Sequence, residues 1–293
     1  FGDLDITSGD LVIIGNSEST SIIDANQIDR VFDVFSGTSL TLQNVTVTGG
    51  QTVGGNDGGG VRSLGTLAVA DSTLTGNSTD ANGGAIYTAA AGTANTLASN
   101  ITATDAALTV SNAAVYPAQP GFLILVGNEQ MRVEAINGSA FSVTRAVNGS
   151  TATVHSAGAT VSVVDMSLIN STVVTNSADF GAGVFNDGGA VVITGSSVTS
   201  NVAVTDGGGV YNDRTATLNV VGSTLVSNRA GRDGGGVYNN DSATASITDA
   251  TVNGNIAARN GGGLFNEIVA VANLNNTRFS ANTAADGGGI YNE

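Results

Sequence analysis

The chain has 293 residues, of which 41 are Gly, none is Cys or Trp and 11% are charged, against about 25% charged and about 7% Gly in ordinary soluble domains. With 24 acidic residues against 9 basic ones, its net charge of −15 denies it the cationic footprint that phosphate backbones and anionic membranes attract. All nine basic residues are Arg, which excludes Schiff-base and P-loop lysines, and the lack of Cys excludes disulfides and thiolate-bound metals.

A hydrophobic content of 41% nevertheless implies buried apolar surface and therefore order. No apolar run approaches the roughly 20 residues that span a bilayer, so direct membrane insertion is not expected. The chain opens at Phe1 without an initiator Met or a signal peptide, as a mature fragment or a piece of a longer polypeptide would.

In chain order, the opening runs at residues 11–15 (LVIIG), 21–24 (SIID) and 30–34 (RVFDV) are short and β-rich. A glycine block then recurs at Gly58, Gly83, Gly181, Gly207, Gly234, Gly261 and Gly287, at intervals of 25, 98, 26, 27, 27 and 26 residues. The period is about 26, broken once. Upstream of each block from Gly83 onward an apolar residue stands three before an Asn: Leu74 and Asn77, Val173 and Asn176, Val198 and Asn201, Leu225 and Asn228, Val252 and Asn255, and Phe279 and Asn282. Eight and ten residues before that Asn lie the pairs Leu67/Val69, Met166/Leu168, Val191/Ile193, Leu218/Val220, Ala245/Ile247 and Ala272/Leu274. Spacing of two within each pair predicts strands with one buried face. Three short strands per period can bury their apolar positions only by stacking on the next period, which predicts an all-β parallel β-helix with rungs about 4.8 Å apart.

Identical positions then form columns. Asn176, Asn201, Asn228, Asn255 and Asn282, and likewise Asn186, Asn212, Asn239, Asn266 and Asn292, are expected to form amide ladders that hold the rungs in register. Tyr211, Tyr238, Phe265 and Tyr291 form an aromatic column, a candidate carbohydrate platform if exposed and a structural stack if buried. Asp206 and Asp233, one rung apart, are candidate calcium ligands, with ordinary Asp-Gly turn chemistry as the competing reading. An outward column of Thr73, Thr172, Ser197, Thr224 and Thr251 has companions two residues on. Val174, Val226 and Asn253 among those companions, with Arg278 on the next rung, break the regular lattice that ice binding would need.

Residues 89–165 interrupt every column. Alternating runs around Asn137-Gly138 predict hairpins and hence a small inserted antiparallel β domain between β-helix segments 1–88 and 166–293. His155, the only His, has no partner Cys or GxSxG motif and is read as structural, and the odd separation of Glu129 and Glu134 puts them on opposite strand faces.

The marks Phe279-Ser-Ala-Asn282 and Gly83-Gly-Ala-Ile86 resemble the repeats of chlamydial polymorphic outer-membrane proteins and related bacterial right-handed β-helix surface proteins. The likeness covers about residues 38–88 and 166–293, and the opening runs resemble the first coils of the same repeat. It departs in using GGG where GGA is usual, and Val or Leu where Phe is usual. The resemblance implies a right-handed coil and an exported adhesin-like protein. Residues 100–164 resemble a small β module of phage tail and bacterial surface proteins, which implies an interaction unit.

The expectation is therefore a non-enzymatic extracellular or cell-surface protein, a rigid stalk or filament component presenting the inserted domain. It has no catalytic residues and no cofactor beyond the candidate calcium. Its expected partners are surface glycans or another surface protein. The last stretch, Gly287 to Glu293, has no polar cap, which predicts that the solenoid continues or self-associates. The alternative is a polysaccharide-binding or polysaccharide-cleaving β-helix enzyme with carboxylates on adjacent rungs.

Overall fold

The computed structural model describes residues 2–90 and 95–293; Phe1, which opens the chain, and residues 91–94 of the interruption lie outside it. Two compact units emerge, residues 1–89 with 165–293, and residues 90–164.

The first unit is a parallel β-solenoid. Its rungs contribute to four sheets, not the three predicted. The first sheet has nine strands from Leu4–Ile6 to Ile290–Asn292, the second eight from Asp10–Ile14 to Val271–Asn275, and the third eight from Ile22–Asp24 to Arg278–Ser280. The fourth has six, from Gln51–Thr52 to Ile256–Ala257. Its inward residues are Thr52, Thr79, Ala178, Ala203, Ala230 and Ala257, all buried and all small or polar. That composition hides the strand from a hydrophobic pattern.

Elsewhere the inward columns follow the spacing of the sequence. Met166 pairs in register with Val191, Val191 with Leu218, Leu218 with Ala245 and Ala245 with Ala272. Val173, Val198, Leu225 and Val252 make a second column, every member fully buried. These columns fuse into one continuous core with Val184, Val210, Val237 and Leu264. The solenoid closes directly over the interruption, since Ile86–Ala89 pairs with Val184–Asp187 and Thr66–Ala70 with Met166–Ile169.

The glycine blocks make the turn from the fourth sheet to the first. Gly207, Gly234 and Gly261 have φ of 66°, 66° and 62°, where side chains are disfavoured. Two residues on, a Cβ at Gly209 would stand 2.5 Å from the Gly236 carbonyl oxygen, so successive turns nest backbone on backbone.

The second unit is a six-stranded sheet whose internal pairings are antiparallel, including Leu123–Val126 with Glu129–Asn137 and the latter with Ala140–Thr144. Gly138 and Ser139 form the hairpin turn, and a bulge interrupts the pairing between Val133 and Ala135. The unit has its own core, with Tyr116 edge-on to Phe141 at 5.1 Å.

Candidate functional site

Both asparagine sets meet as side-chain ladders. Asn176 Nδ2 donates to Asn201 Oδ1, Asn201 to Asn228, Asn228 to Asn255 and Asn255 to Asn282, each at 3.0 Å. The second ladder runs Asn186 to Asn212, Asn239, Asn266 and Asn292 at 2.7–2.8 Å. The ladder amides also donate to main-chain carbonyls, as Asn228 does to Val198 at 2.9 Å and Asn239 to Ala243 at 3.2 Å. Their hydrogen-bonding capacity goes into rung-to-rung cohesion.

The structure corrects the calcium reading of Asp206 and Asp233. The two do lie on adjacent rungs with no exposure, but each carboxylate is gripped by an arginine one period later. Arg232 Nε lies 2.9 Å from Asp206 Oδ1 while its Nη2 contacts Oδ2, and the Asp233 amide donates to Asp206 Oδ1 at 3.0 Å. Asp233 receives Arg259 in the same way, with Nε at 3.0 Å and the Asn260 amide at 2.9 Å. A bidentate guanidinium takes up the oxygens that a shared cation would need. The signal was an Arg one residue before Asp233 and Asn260, a period after the acid it grips. Asp3, Asp5 and Asp33 also cluster within 4.8 Å, but Arg30 holds Asp3 and Arg62 holds Asp33, both at 2.6 Å.

The aromatic platform is corrected as well. Tyr211, Tyr238 and Phe265 are only 8%, 6% and 3% exposed, because their rings stack face to face at 4.7–4.8 Å. Phe185 and Tyr291 extend the stack, Phe180 closes edge-on against Tyr211, and Gly207 turns its backbone against the base of the Tyr211 side chain. Burial pushes the phenols of Tyr211 and Tyr238 well above their ordinary range. A sugar cannot reach the ring faces of Tyr211, Tyr238 and Phe265, whereas Tyr291, at the end of the stack, is only partly buried. In the same outward column, Tyr87 is followed towards the amino end by Arg62 and Asp33, so an ion pair ends the aromatic run.

In the second unit, sequence reasoning missed a cluster around Glu129, whose side chain is fully buried. Arg145 donates to both its oxygens at 2.5 and 2.7 Å, His155 Nε2 lies 2.8 Å from Oε2, and the Thr153 amide donates at 3.0 Å. Burial works to raise the Glu129 pKa, but Arg145, the Thr153 amide and His155 outweigh it and hold the carboxyl below its ordinary range. Arg145 also donates to the carbonyls of Thr102, Asp105 and Thr153. Thr153 Oγ1 and Glu129 both approach the same His155 nitrogen, so the group is a clip between loops and not a relay through the two ring nitrogens.

An open groove of about 520 Å³ lies where three successive rungs turn from the first sheet to the second, lined by Asp213, Arg214, Asn240, Asp241, Glu267, Ile268 and Val269. Its polar walls are fixed from behind. Asn240 Nδ2 donates to Asp213 at 2.7 Å, the Asp241 amide donates to Glu267 at 3.1 Å, and Arg214 Nη1 lies 2.6 Å from Asp187. Arg214 and Asp241 take left-handed φ of 61° and 48°, which tips their side chains outward, and so does the β-branched Val269 at 66°. Three carboxylates, an amide, a guanidinium already neutralised by Asp187 and two exposed aliphatic chains thus share one concave strip.

The Chlamydia polymorphic membrane protein repeat is matched at residues 71–89 and 276–293. The matched stretches include Gly83-Gly-Ala-Ile86 and Phe279-Ser-Ala-Asn282, so the chain carries repeats of this kind. No curated protein sequence matches. Among solved structures, the Gp54 tailspike of Acinetobacter baumannii bacteriophage AP22, in complex with A. baumannii capsular saccharide, is similar at 12% identity and a TM-score of 0.24, over 84% of this chain and 53% of that one. The tailspike gp49 of Pseudomonas phage LKA1 is similar at 10% identity and a TM-score of 0.26, over 85% and 50%. The chain spans about half the length of each tailspike.

Proposed function

We propose that the chain is a non-enzymatic adhesive segment of a surface-exposed or extracellular protein, a rigid solenoid shaft that holds a surface glycan in the groove between Asp213 and Val269. The observation that carries this reading is the groove itself. Its side chains come from three consecutive rungs, with Asn240 tied to Asp213 and Glu267 to the Asp241 amide. Such a strip suits neutral or amino-bearing sugars, because its net negative charge repels uronates and sulfates. The matched repeat supports a surface setting.

The non-enzymatic part rests on the carboxylates. Asp213 and Glu267 are each fixed by a hydrogen bond donated within the protein, and the buried Asp206 and Asp233 are spent on arginines. Asp241 is the third carboxylate of the groove, and cleavage would need two of the three to divide acid and base roles across one glycosidic bond. An array of neutral, amino-bearing and acidic glycans, probed with the wild-type chain and with Asp213→Ala/Asp241→Ala, tests the reading. Binding of amino-bearing sugars, and not of acidic ones, that is lost in the double variant supports it. Release of new reducing ends from any bound glycan would replace it with a cleaving activity.

A further inference from the structure

The outward side of the third sheet carries one hydroxyl per rung in strict register: Thr46, Thr73, Thr172, Ser197, Thr224 and Thr251, followed by Arg278. The first two are already engaged. Residues 15–21 fold over the face, and the Thr46 hydroxyl donates to the Glu18 carbonyl while the Thr73 hydroxyl donates to the Glu18 carboxylate, both at 2.7 Å. One residue of the chain therefore reaches along the column and supplies an acceptor to each of two successive rungs. On the next four rungs, the hydroxyls of Thr172, Ser197, Thr224 and Thr251 make no side-chain hydrogen bond among the described residues, and all four residues are at least partly exposed.

From this occupied and unoccupied halves of one column, we infer that the third sheet binds an extended neutral polysaccharide chain running along the solenoid axis over Thr172, Ser197, Thr224 and Thr251. The Glu18 contacts show that acceptors spaced by a rung fit the column. The backbone groups beneath are used in parallel pairing with the rungs on either side, so the face offers hydroxyls and methyls and no free strand edge on which a peptide would add. A threonine hydroxyl donates once and accepts twice, which matches a polymer whose own hydroxyls do both. The column and its companions Thr75, Val174, Thr199, Val226 and Asn253 carry no charge between Glu18 and Arg278, in a chain of net charge −15, which selects a neutral polymer. Rungs about 4.8 Å apart repeat on the scale of one sugar ring in an extended chain. This track lies on a different sheet from the Asp213–Val269 groove, so either site can fail without the other.

The test is depletion of the full chain from solution by insoluble cellulose, chitin and starch, with ice grains as a fourth adsorbent. Wild-type protein is expected on at least one polysaccharide. Thr172→Val/Thr224→Val/Thr251→Val keeps the shape of each side chain and removes three hydroxyls, and should weaken that binding by about tenfold or more at an unchanged melting temperature. Glu18→Ala frees the Thr73 hydroxyl and lengthens the track, and should tighten binding by about threefold. No retention on any polysaccharide, adsorption to ice alone, a triple variant that binds like wild type, or no gain from Glu18→Ala would each overturn the inference.

Discussion

Thr88 stands directly opposite Asn186 on the adjacent rung, and its buried hydroxyl makes no hydrogen bond. It occupies the position that asparagine fills on the next five rungs. Thr88→Asn should extend the ladder by one donor to Asn186 Oδ1 and remove an unsatisfied group. The expected gain is about 1 kcal/mol, seen as a melting temperature about 2 °C higher. A lower melting temperature would show that the site is too small for the amide.

Val198→Asp places a carboxylate between Val173 and Leu225, in a column without exposure. The cost should be several kcal/mol, because no cation lies in that column. Thr199→Asp, one residue on and facing outward, loses only a hydroxyl bond to the Val226 carbonyl and should cost about 1 kcal/mol. Chemical denaturation of the two variants compares them directly, and similar midpoints would contradict the register.

Arg232→Ala leaves the Asp206 carboxylate buried without its guanidinium, at an expected cost of about 3 kcal/mol. Adding Asp206→Asn to it should recover much of that loss by removing the stranded charge. Millimolar-range calcium should leave the wild-type melting temperature unchanged. A calcium-dependent rise would mean that the cation displaces the arginine.

The Glu129 clip gives the second unit an acid-sensitive point. Its folded carboxyl lies below the ordinary value of 4.5, so its contribution is full above that value and is lost as pH falls through the lower folded one. Glu129→Gln should cost about 3 kcal/mol at neutral pH and flatten the loss of stability between about pH 5 and 3. Melting of wild type and variant across that range, followed by tyrosine fluorescence, reads the difference.

The stacking of rungs was legible because Leu74, Val173, Val198, Leu225 and Val252 return at a fixed offset with one polarity, and a repeated strand has few other ways to bury them. The fourth strand was not, since Ala203 and Ala230 give no contrast with their neighbours. The repeat put Tyr211 and Tyr238 in one column, but periodicity cannot show that a ring is covered by the ring above it and by the glycine turn beside it. The Asp206–Arg232 pairing was written in the repeat as an acid and a base a period apart, visible once side chains are compared between rungs. Glu129, Arg145 and His155 obey no period at all. They meet only because hairpins bring separate loops together, which is information held by the turns.

Both amide ladders point the same way: each Nδ2 donates to the Oδ1 of the rung that follows it in sequence, and in the first ladder the backbone amide beside it does likewise. The shaft therefore has a chemical direction as well as a geometric one. A rung laid down from the amino end leaves its donors bare until the next asparagine arrives, whereas growth from the carboxyl end presents bare acceptors. Since orphaned buried donors are the rarer defect in native proteins, the two orders of assembly are unequal.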